Sequence, residues 1–203
     1  MIALRSPSIS LGIFIKLSRE NERMSMEAKF SPYGWLTGNE IIKQVHLERI
    51  TINPFNEQQI NPNSYNYRLS SNLKRLKNLV IDMRAPDEFD DIAIPEEGLL
   101  LKPNECYLGA TLETFGSDYF ASLVTGRSSV GRKFITNHIT AGLIDQGFFG
   151  QITLEITVQK PTRVYAGCVF GQIFWFSVVG KPRLYRGKYV EQREPTGSRA
   201  HLD

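Results

Sequence analysis

Short strand-like segments separated by turn residues dominate the chain from Ile50 onward. β-branched and aromatic residues cluster within the segments, and Pro, Gly, Asn and Asp separate them. No helical period lies between them, so the pattern favours an all-β barrel or sandwich over a parallel α/β sheet. The segments are SYNYRLS, NLVIDM, GLLLKP, CYLGATLE, YFASLVT, QITLEITV and VFGQIFWFSVV.

One short helix is predicted ahead of these strands. Thr37-Gly38-Asn39-Glu40 fits a capping box, in which the Thr37 hydroxyl binds the Glu40 backbone and the Glu40 carboxylate returns to Thr37. We therefore expect a helix that ends near Leu47.

The chain divides into three stretches of different composition. Residues 1–33 are Ser-rich and polar, and we expect an N-terminal extension, or a stretch upstream of a true start near Met24 or Met26. Residues 34–186 hold the predicted β domain. Residues 187–203 are polar, with Gly, Pro and several charges, which is typical of a tail that orders only against something else.

Composition narrows the function classes. The 203 residues are 41% hydrophobic and 22% charged, as in one ordinary globular domain. A net charge of +3 does not argue for a nucleic-acid or membrane partner, yet it agrees with a small anionic ligand. The apolar run from Leu11 to Leu17 is far shorter than the roughly 20 residues that span a bilayer. Cys106 and Cys168 form no disulfide framework, which favours a cytoplasmic location.

The stretch from 126 to 132, GRSSVGR, has the groups that a phosphate needs. Arg127 supplies a guanidinium, Ser128 and Ser129 supply hydroxyls, and flanking glycines let the backbone approach an anion closely. As a bare pattern it is equally typical of a surface turn, and Arg132 could merely cap that turn.

Two carboxylates follow. Glu155 lies on the polar face of QITLEITV, where apolar and polar residues alternate. Alternation alone favours a solvated face, although the same face could line a cleft against a neighbouring subunit. Asp145 lies in the predicted turn Ile144-Asp145-Gln146-Gly147, where an aspartate usually serves its own backbone.

Metal chemistry has little support in the sequence. His46-Leu47-Glu48 matches the first half of the zinc-deaminase signature, but no C-x-x-C follows it. His138 and His201 complete no ligand set, so we expect no zinc. P-loop and serine-esterase motifs do not occur in the sequence either.

Six blocks in order resemble the dCTP deaminase family, within the trimeric dUTPase-like superfamily, from about Trp35 to Asp203. This resemblance implies a homotrimer of distorted β-barrels of the jelly-roll type, with active sites between subunits that the C-terminal tail closes. The blocks are INPNSYNYRL at 60–69, IPEEGLLLKP at 94–103, GRSSVGR at 126–132, TAGLIDQGFFGQITLE at 140–155, GQI at 171–173 and GKYVEQREPTGSR at 187–199.

The resemblance also implies a role for each matching residue. Glu155 matches the family's general acid/base, and Ser128 and Arg132 match its catalytic partners. Mg²⁺, bound mainly through the triphosphate, is the implied companion. The remaining implied nucleotide contacts are Arg127 and Ser129 to phosphates, Asp145 to the deoxyribose 3′-hydroxyl, Thr153 and Leu154 along the nucleoside, and Gln172, Tyr185, Lys188 and Gln192.

The expected reaction is zinc-independent deamination of dCTP to dUTP and ammonia in pyrimidine deoxynucleotide biosynthesis, with hydrolysis of dUTP to dUMP and pyrophosphate as an added step. Gly142 and Gln172 resemble the bifunctional form. Asn66 stands where superfamily members often have aspartate, and Glu194 stands where glycine is usual. Two alternatives stay open: a dUTPase that keeps Glu155 for structure, and a catalytically silent nucleotide-binding regulatory trimer.

Overall fold

Two open antiparallel β-sheets form the body of the protein. The computed structural model describes residues 34–202, so the predicted extension at 1–33 lies outside the described residues. The helices are α1 (Gly38–His46) and α2 (Ser128–Gly131), with 3₁₀ turns at Glu57–Gln59 and Ala200–Leu202. The strands are β1 (Thr51–Asn53), β2 (Ile60–Asn61), β3 (Ser64–Arg68), β4 (Asn72–Leu76), β5 (Phe89–Ala93), β6 (Leu99–Leu101), β7 (Tyr107–Gly116), β8 (Phe120–Gly126), β9 (Ile135–Thr136), β10 (Leu143–Ile144), β11 (Phe149–Val158), β12 (Thr162–Val164) and β13 (Val169–Ser177).

The strand order confirms the predicted all-β class. One sheet runs β5-β4-β7-β11-β9, with β1 also on β7, and the other runs β10-β8-β13-β3-β2. Strands β12 and β6 form a separate pair. The edge strands β2, β9 and β10 are two residues long each, too short to carry a ladder around to the other sheet. The sheets therefore stay open instead of closing into one barrel.

The core lies between the two sheets. Phe115 of β7 meets Tyr65 of β3 edge to face, with ring centroids 6.1 Å apart, and contacts Trp175 of β13 at the same separation. All three side chains are almost fully buried. Burying one side chain of this kind contributes about 1.5–3 kcal/mol, so these contacts hold the sheets together.

The predicted helix forms over Gly38–His46, and the Thr37 hydroxyl accepts a hydrogen bond from the Glu40 N–H at 3.3 Å. The Glu40 carboxylate does not return to Thr37, as a full capping box requires. It accepts instead from the Gln44 side chain at 2.5 Å. No helix within residues 34–202 combines the length and apolarity needed to cross a bilayer.

One predicted strand is wrong. NLVIDM at 78–83 is a loop between β4 and β5, and Leu79, Val80 and Met83 are exposed. Asp82 explains the difference, because its carboxylate accepts from the Arg84 N–H at 2.9 Å and its carbonyl accepts from the Ala85 N–H at 3.1 Å. These local bonds form a turn and compete with a strand ladder.

Candidate active site

The polar face of β11 carries Glu155. Burial alternates strictly along Phe149–Val158, as predicted, with Ile152, Leu154 and Ile156 in the core. The Glu155 side chain is 35% exposed, which leaves it open to a ligand on the face opposite the core.

Two groups hold the Glu155 carboxylate. The Ile139 N–H donates to Oε2 at 3.1 Å, and Nδ1 of His138 lies 2.9 Å from the same oxygen. The His138 contact is an ion-pair distance without hydrogen-bond alignment, and neither ring nitrogen has a hydrogen-bond partner within residues 34–202. Because both contacts engage Oε2, Oε1 is the oxygen left for a ligand.

A buried amide anchors the loop that carries His138. Asn137 donates from Nδ2 to the Tyr67 hydroxyl at 3.0 Å and to the Phe170 carbonyl at 2.9 Å. The Tyr67 hydroxyl in turn donates to the Thr125 carbonyl at 3.1 Å. Burial, with a smaller contribution from the Glu155 charge, raises the pKa of Tyr67, so the phenol stays a neutral donor at physiological pH.

Gly142 makes room for this loop. A Cβ at this position would lie 2.8 Å from the Val124 carbonyl oxygen and 3.2 Å from Nε2 of His138. Any larger residue would push the loop away from β8, and with it the two groups that hold Glu155.

Glu155 opens into a cavity of about 430 Å³, here called the Glu155 cavity. It contains five predicted site residues, on β11, on the turn after β10 and in the segments that follow β13. They are Asp145, Thr153, Glu155, Tyr185 and Gln192.

The C-terminal tail, residues 187–202, lies along β11 and lines the same cavity. The Glu191 N–H donates to the Phe149 carbonyl at 2.8 Å, and the Gln151 N–H donates to the Gln192 carbonyl at 3.0 Å. The Thr196 N–H donates to the Thr153 hydroxyl at 3.2 Å. The tail residues at the cavity wall are Tyr189, Gln192, Thr196, Gly197 and Ser198.

A second cavity, of about 590 Å³, holds the basic residues and is here called the arginine cavity. Arg127 precedes α2, and the serine hydroxyls lie in its first turn. The residues that line this cavity include no carboxylate. They are Trp35, Asn61, Pro62, Asn63, Ser64, Arg127, Ser128, Ser129, Arg132, Gln172 and Phe174.

The two cavities share no lining residue. Within one chain, Glu155 is therefore not in the same cavity as Ser128 and Arg132. Two further predicted contacts line neither cavity. Leu154 is fully buried in the core, and Lys188 donates from Nζ to the Arg199 carbonyl at 2.8 Å.

Known proteins share this chain's sequence pattern. The family model described as dCTP deaminase-like matches residues 35–178. The chain belongs to this family. A Clostridium botulinum (strain Alaska E43 / Type E3) member named dCTP deaminase, dUMP-forming, is 44% identical over 155 residues, 76% of this chain and 89% of the relative. A Leptospira biflexa (strain Patoc 1 / Ames) member with the same name is 45% identical over 155 residues, 76% of this chain and 88% of the relative.

A solved structure supports the fold. The crystal structure of 2′-deoxycytidine 5′-triphosphate deaminase from Agrobacterium tumefaciens matches with a TM-score of 0.60. The match covers 73% of this chain and 49% of the solved chain, at 19% sequence identity. Family membership and this likeness confirm the resemblance that the six sequence blocks predicted.

Sequence reasoning missed His138 as a site residue in this family member. The sequence presents His138 only as part of an incomplete metal-ligand set, and its contact with Glu155 depends on the path of the loop between β9 and β10. The available signal was its position two residues before the TAGLID block. Tyr189 was also missed, and its place within the GKYVEQ block was the only hint.

Proposed function

We propose that the protein deaminates dCTP and hydrolyses the resulting dUTP to dUMP and pyrophosphate. The observation that carries this proposal is the Glu155 carboxylate, held through one oxygen by Ile139 and His138 at the wall of a cavity. Relatives at 44% and 45% identity carry the name dCTP deaminase, dUMP-forming, which supports both steps.

Glu155 is suited to move the protons of the first step. Water adds at C4 of cytosine as the carboxylate takes a proton from it, and the same carboxyl delivers that proton to N3. The Glu155 carboxylate then takes the proton of the new C4 hydroxyl and passes it to the amino group, so that ammonia leaves and the C4 carbonyl of dUTP forms. Sequence supports a route without zinc, because the chain has only two cysteines and they are 62 positions apart, from 106 to 168.

The arginine cavity is the proposed triphosphate site. Arg127 and Arg132 supply two guanidinium groups, and Ser128 and Ser129 supply hydroxyl donors. We assign Ser128 and Arg132 a further role beside the reacting water, where they stabilise developing charge. In this proposal Asp145, on the wall of the Glu155 cavity, accepts a hydrogen bond from the 3′-hydroxyl of the sugar.

The separation of the two cavities supports a homotrimer with intersubunit sites. In this arrangement the Glu155 cavity of one subunit faces the arginine cavity of the next. Large apolar side chains near both cavities are open to solvent in the single chain: Phe134 is 67% exposed, Ile139 61% and Leu143 59%. A subunit interface would cover such side chains.

Mg²⁺ is proposed to enter with the nucleotide. The lining of the arginine cavity consists of cationic, hydroxyl, amide and apolar side chains. Without a carboxylate ligand there, these residues fit an ion that the triphosphate oxygens hold and that keeps several waters. Such an ion would offset negative charge that two arginines alone do not neutralise.

The second step breaks the bond between the α- and β-phosphates of dUTP with one water, giving dUMP and pyrophosphate. The resemblance of Gly142 to the bifunctional form supports this step, and the structure leaves no room for a Cβ there, because it would lie 2.8 Å from the Val124 carbonyl oxygen.

A product assay tests the proposal. Purified protein is incubated with dCTP or dUTP and Mg²⁺, and ammonia, dUTP, dUMP and pyrophosphate are measured. We expect ammonia, dUMP and pyrophosphate from dCTP, and an unchanged rate when a zinc chelator is added. Accumulation of dUTP would refute the proposed hydrolysis of dUTP, and absence of ammonia would refute the proposed deamination.

A further inference from the structure

A network of polar side chains forms part of the wall of the arginine cavity. It joins Asn61 of β2, Ser64 and Asn66 of β3, and Gln172 of β13. Ser64 is 7% exposed and Asn66 is 6% exposed, so these two members are buried, and Asn61 and Gln172 are partly buried. Buried polar groups of this kind are held by their mutual hydrogen bonds.

Each hydrogen bond in this network has a defined donor and acceptor. Asn61 donates from Nδ2 to Oδ1 of Asn66 at 2.9 Å and to the Ser64 hydroxyl at 3.1 Å. Asn66 donates back from Nδ2 to Oδ1 of Asn61 at 3.3 Å. The Ser64 hydroxyl donates its single proton to Oε1 of Gln172, at 3.0 Å.

This direction fixes which end of the Gln172 amide faces the ligand. Its oxygen is engaged by Ser64, so the two N–H groups of Nε2 remain. Among the hydrogen bonds of residues 34–202, none involves Nε2 of Gln172, and Gln172 lines the cavity with Arg127 and Arg132. The cavity thus presents an amide donor beside two guanidinium groups, a set that matches phosphate oxygens.

We propose that Ser64 and Asn61 are positioning residues that hold the Gln172 amide with its nitrogen toward a phosphate oxygen. The inference rests on the proposed function for the identity of the ligand, a triphosphate. It adds two residues that act through Gln172 and that the sequence patterns did not single out.

Binding of inorganic tripolyphosphate by the full chain, measured by calorimetry with Mg²⁺, is the direct test. Ser64→Ala should weaken tripolyphosphate binding about five-fold, the value of one ordinary hydrogen bond. It should raise KM for dCTP by a similar factor and leave kcat unchanged. In a Gln172→Ala background, Ser64→Ala should weaken tripolyphosphate binding no further. The Ser64→Ala/Gln172→Ala double variant should therefore bind no more weakly than Gln172→Ala alone.

Ser70→Ala is the matched control. Ser70 is 6% exposed, and its hydroxyl donates to the Asn72 carbonyl at 3.4 Å outside both cavities. This variant should bind tripolyphosphate like the wild type. Equal affinities for Ser64→Ala and Ser70→Ala, or additive losses in the Ser64 and Gln172 double variant, would overturn the inference.

Gln172→Glu keeps the shape of the side chain and covers the case in which Ser64→Ala fails to fold. Ser64 can still donate to one oxygen of the new carboxylate. The other carboxylate oxygen then faces the phosphate and repels it. Binding should therefore fall further than in Gln172→Ala, and equal or tighter binding would contradict the assigned orientation.

Tripolyphosphate binding does not require turnover, so a wild type that binds it without releasing ammonia would refute the proposed deaminase activity and not this inference. A wild type that binds no tripolyphosphate would refute the inference.

Discussion

At the scale of single residues, Glu155 is the side chain on which the proposed chemistry depends. Glu155→Gln keeps the size of the side chain and removes its capacity to exchange protons. We expect deamination to fall by about 10²–10⁴-fold with triphosphate binding retained, because the phosphate donors line a different cavity. Ammonia release and tripolyphosphate calorimetry measure the two effects.

Glu48→Gln is the control for that variant, since Glu48 is an exposed residue just past the end of α1. It should leave both measurements unchanged. If Glu155→Gln deaminates at the wild-type rate, Glu155 belongs to a solvated strand face after all.

His138 gives a second prediction at this scale. His138→Gln removes the ring that lies 2.9 Å from Oε2 of Glu155. With the carboxylate held by the Ile139 N–H alone, kcat for deamination should fall by about 10- to 100-fold, as small misplacements of a catalytic group do. Stopped-time ammonia assays give kcat, and tripolyphosphate affinity should not change. His46→Gln, at the exposed end of α1, is the matched control, and a similar loss there would contradict a specific role for His138.

At the scale of secondary structure, alternation of apolar and polar residues predicted some strands, and other strands were too polar to be predicted. β11 follows its alternation because apolar side chains enter the core at every second position. β4 and β5 are polar in sequence, yet they form an antiparallel ladder. Ion pairs lie across this ladder, Lys74 to Asp91 at 2.5 Å and Arg75 to Asp90 at 2.7 Å. A single sequence does not show which charges will lie opposite each other.

The candidate site was predictable to a similar degree. Local sequence identified the Arg-Ser-Ser stretch and the strand that carries Glu155, and the family resemblance assigned their roles. The contact of His138 with Glu155 spans 17 positions and depends on a loop that folds against β8, which no local pattern encodes.

The tail supplies the prediction at this scale. Ending the chain after Arg186 removes every tail residue from the wall of the Glu155 cavity, including Tyr189, Gln192 and Thr196. KM for dCTP should rise about tenfold or more, because hydrogen bonds to a charged ligand are lost and water reaches the site. Ending the chain after Arg199 keeps those residues and should have little effect. Equal KM values for the two truncations would contradict a role for the tail in binding.

At the scale of the whole molecule, the two cavities predict complementation between inactive variants. Glu155→Gln and Arg132→Ala each damage a different cavity. If the protein forms the proposed trimer, refolding equal amounts together should recover about a quarter of wild-type activity, because about three quarters of the trimers are mixed and each of these has one undamaged site of three. Ammonia release from dCTP measures the recovery.

The control for this experiment pairs Glu155→Gln with Asp145→Ala. Both residues line the Glu155 cavity, so every site in a mixed trimer carries a defect and no activity should return. Recovery in the control, or none in the first mixture, would contradict sites shared between subunits.

The separation of the cavities also makes the activity depend on protein concentration. The two cavities of one chain share no lining residue, so in the proposed trimer a lone chain has both halves of a site but no complete site. Specific activity should therefore fall on dilution below the dissociation constant of the trimer and return on reconcentration. If the site forms between subunits as proposed, newly made chains would not act on dCTP until they assemble.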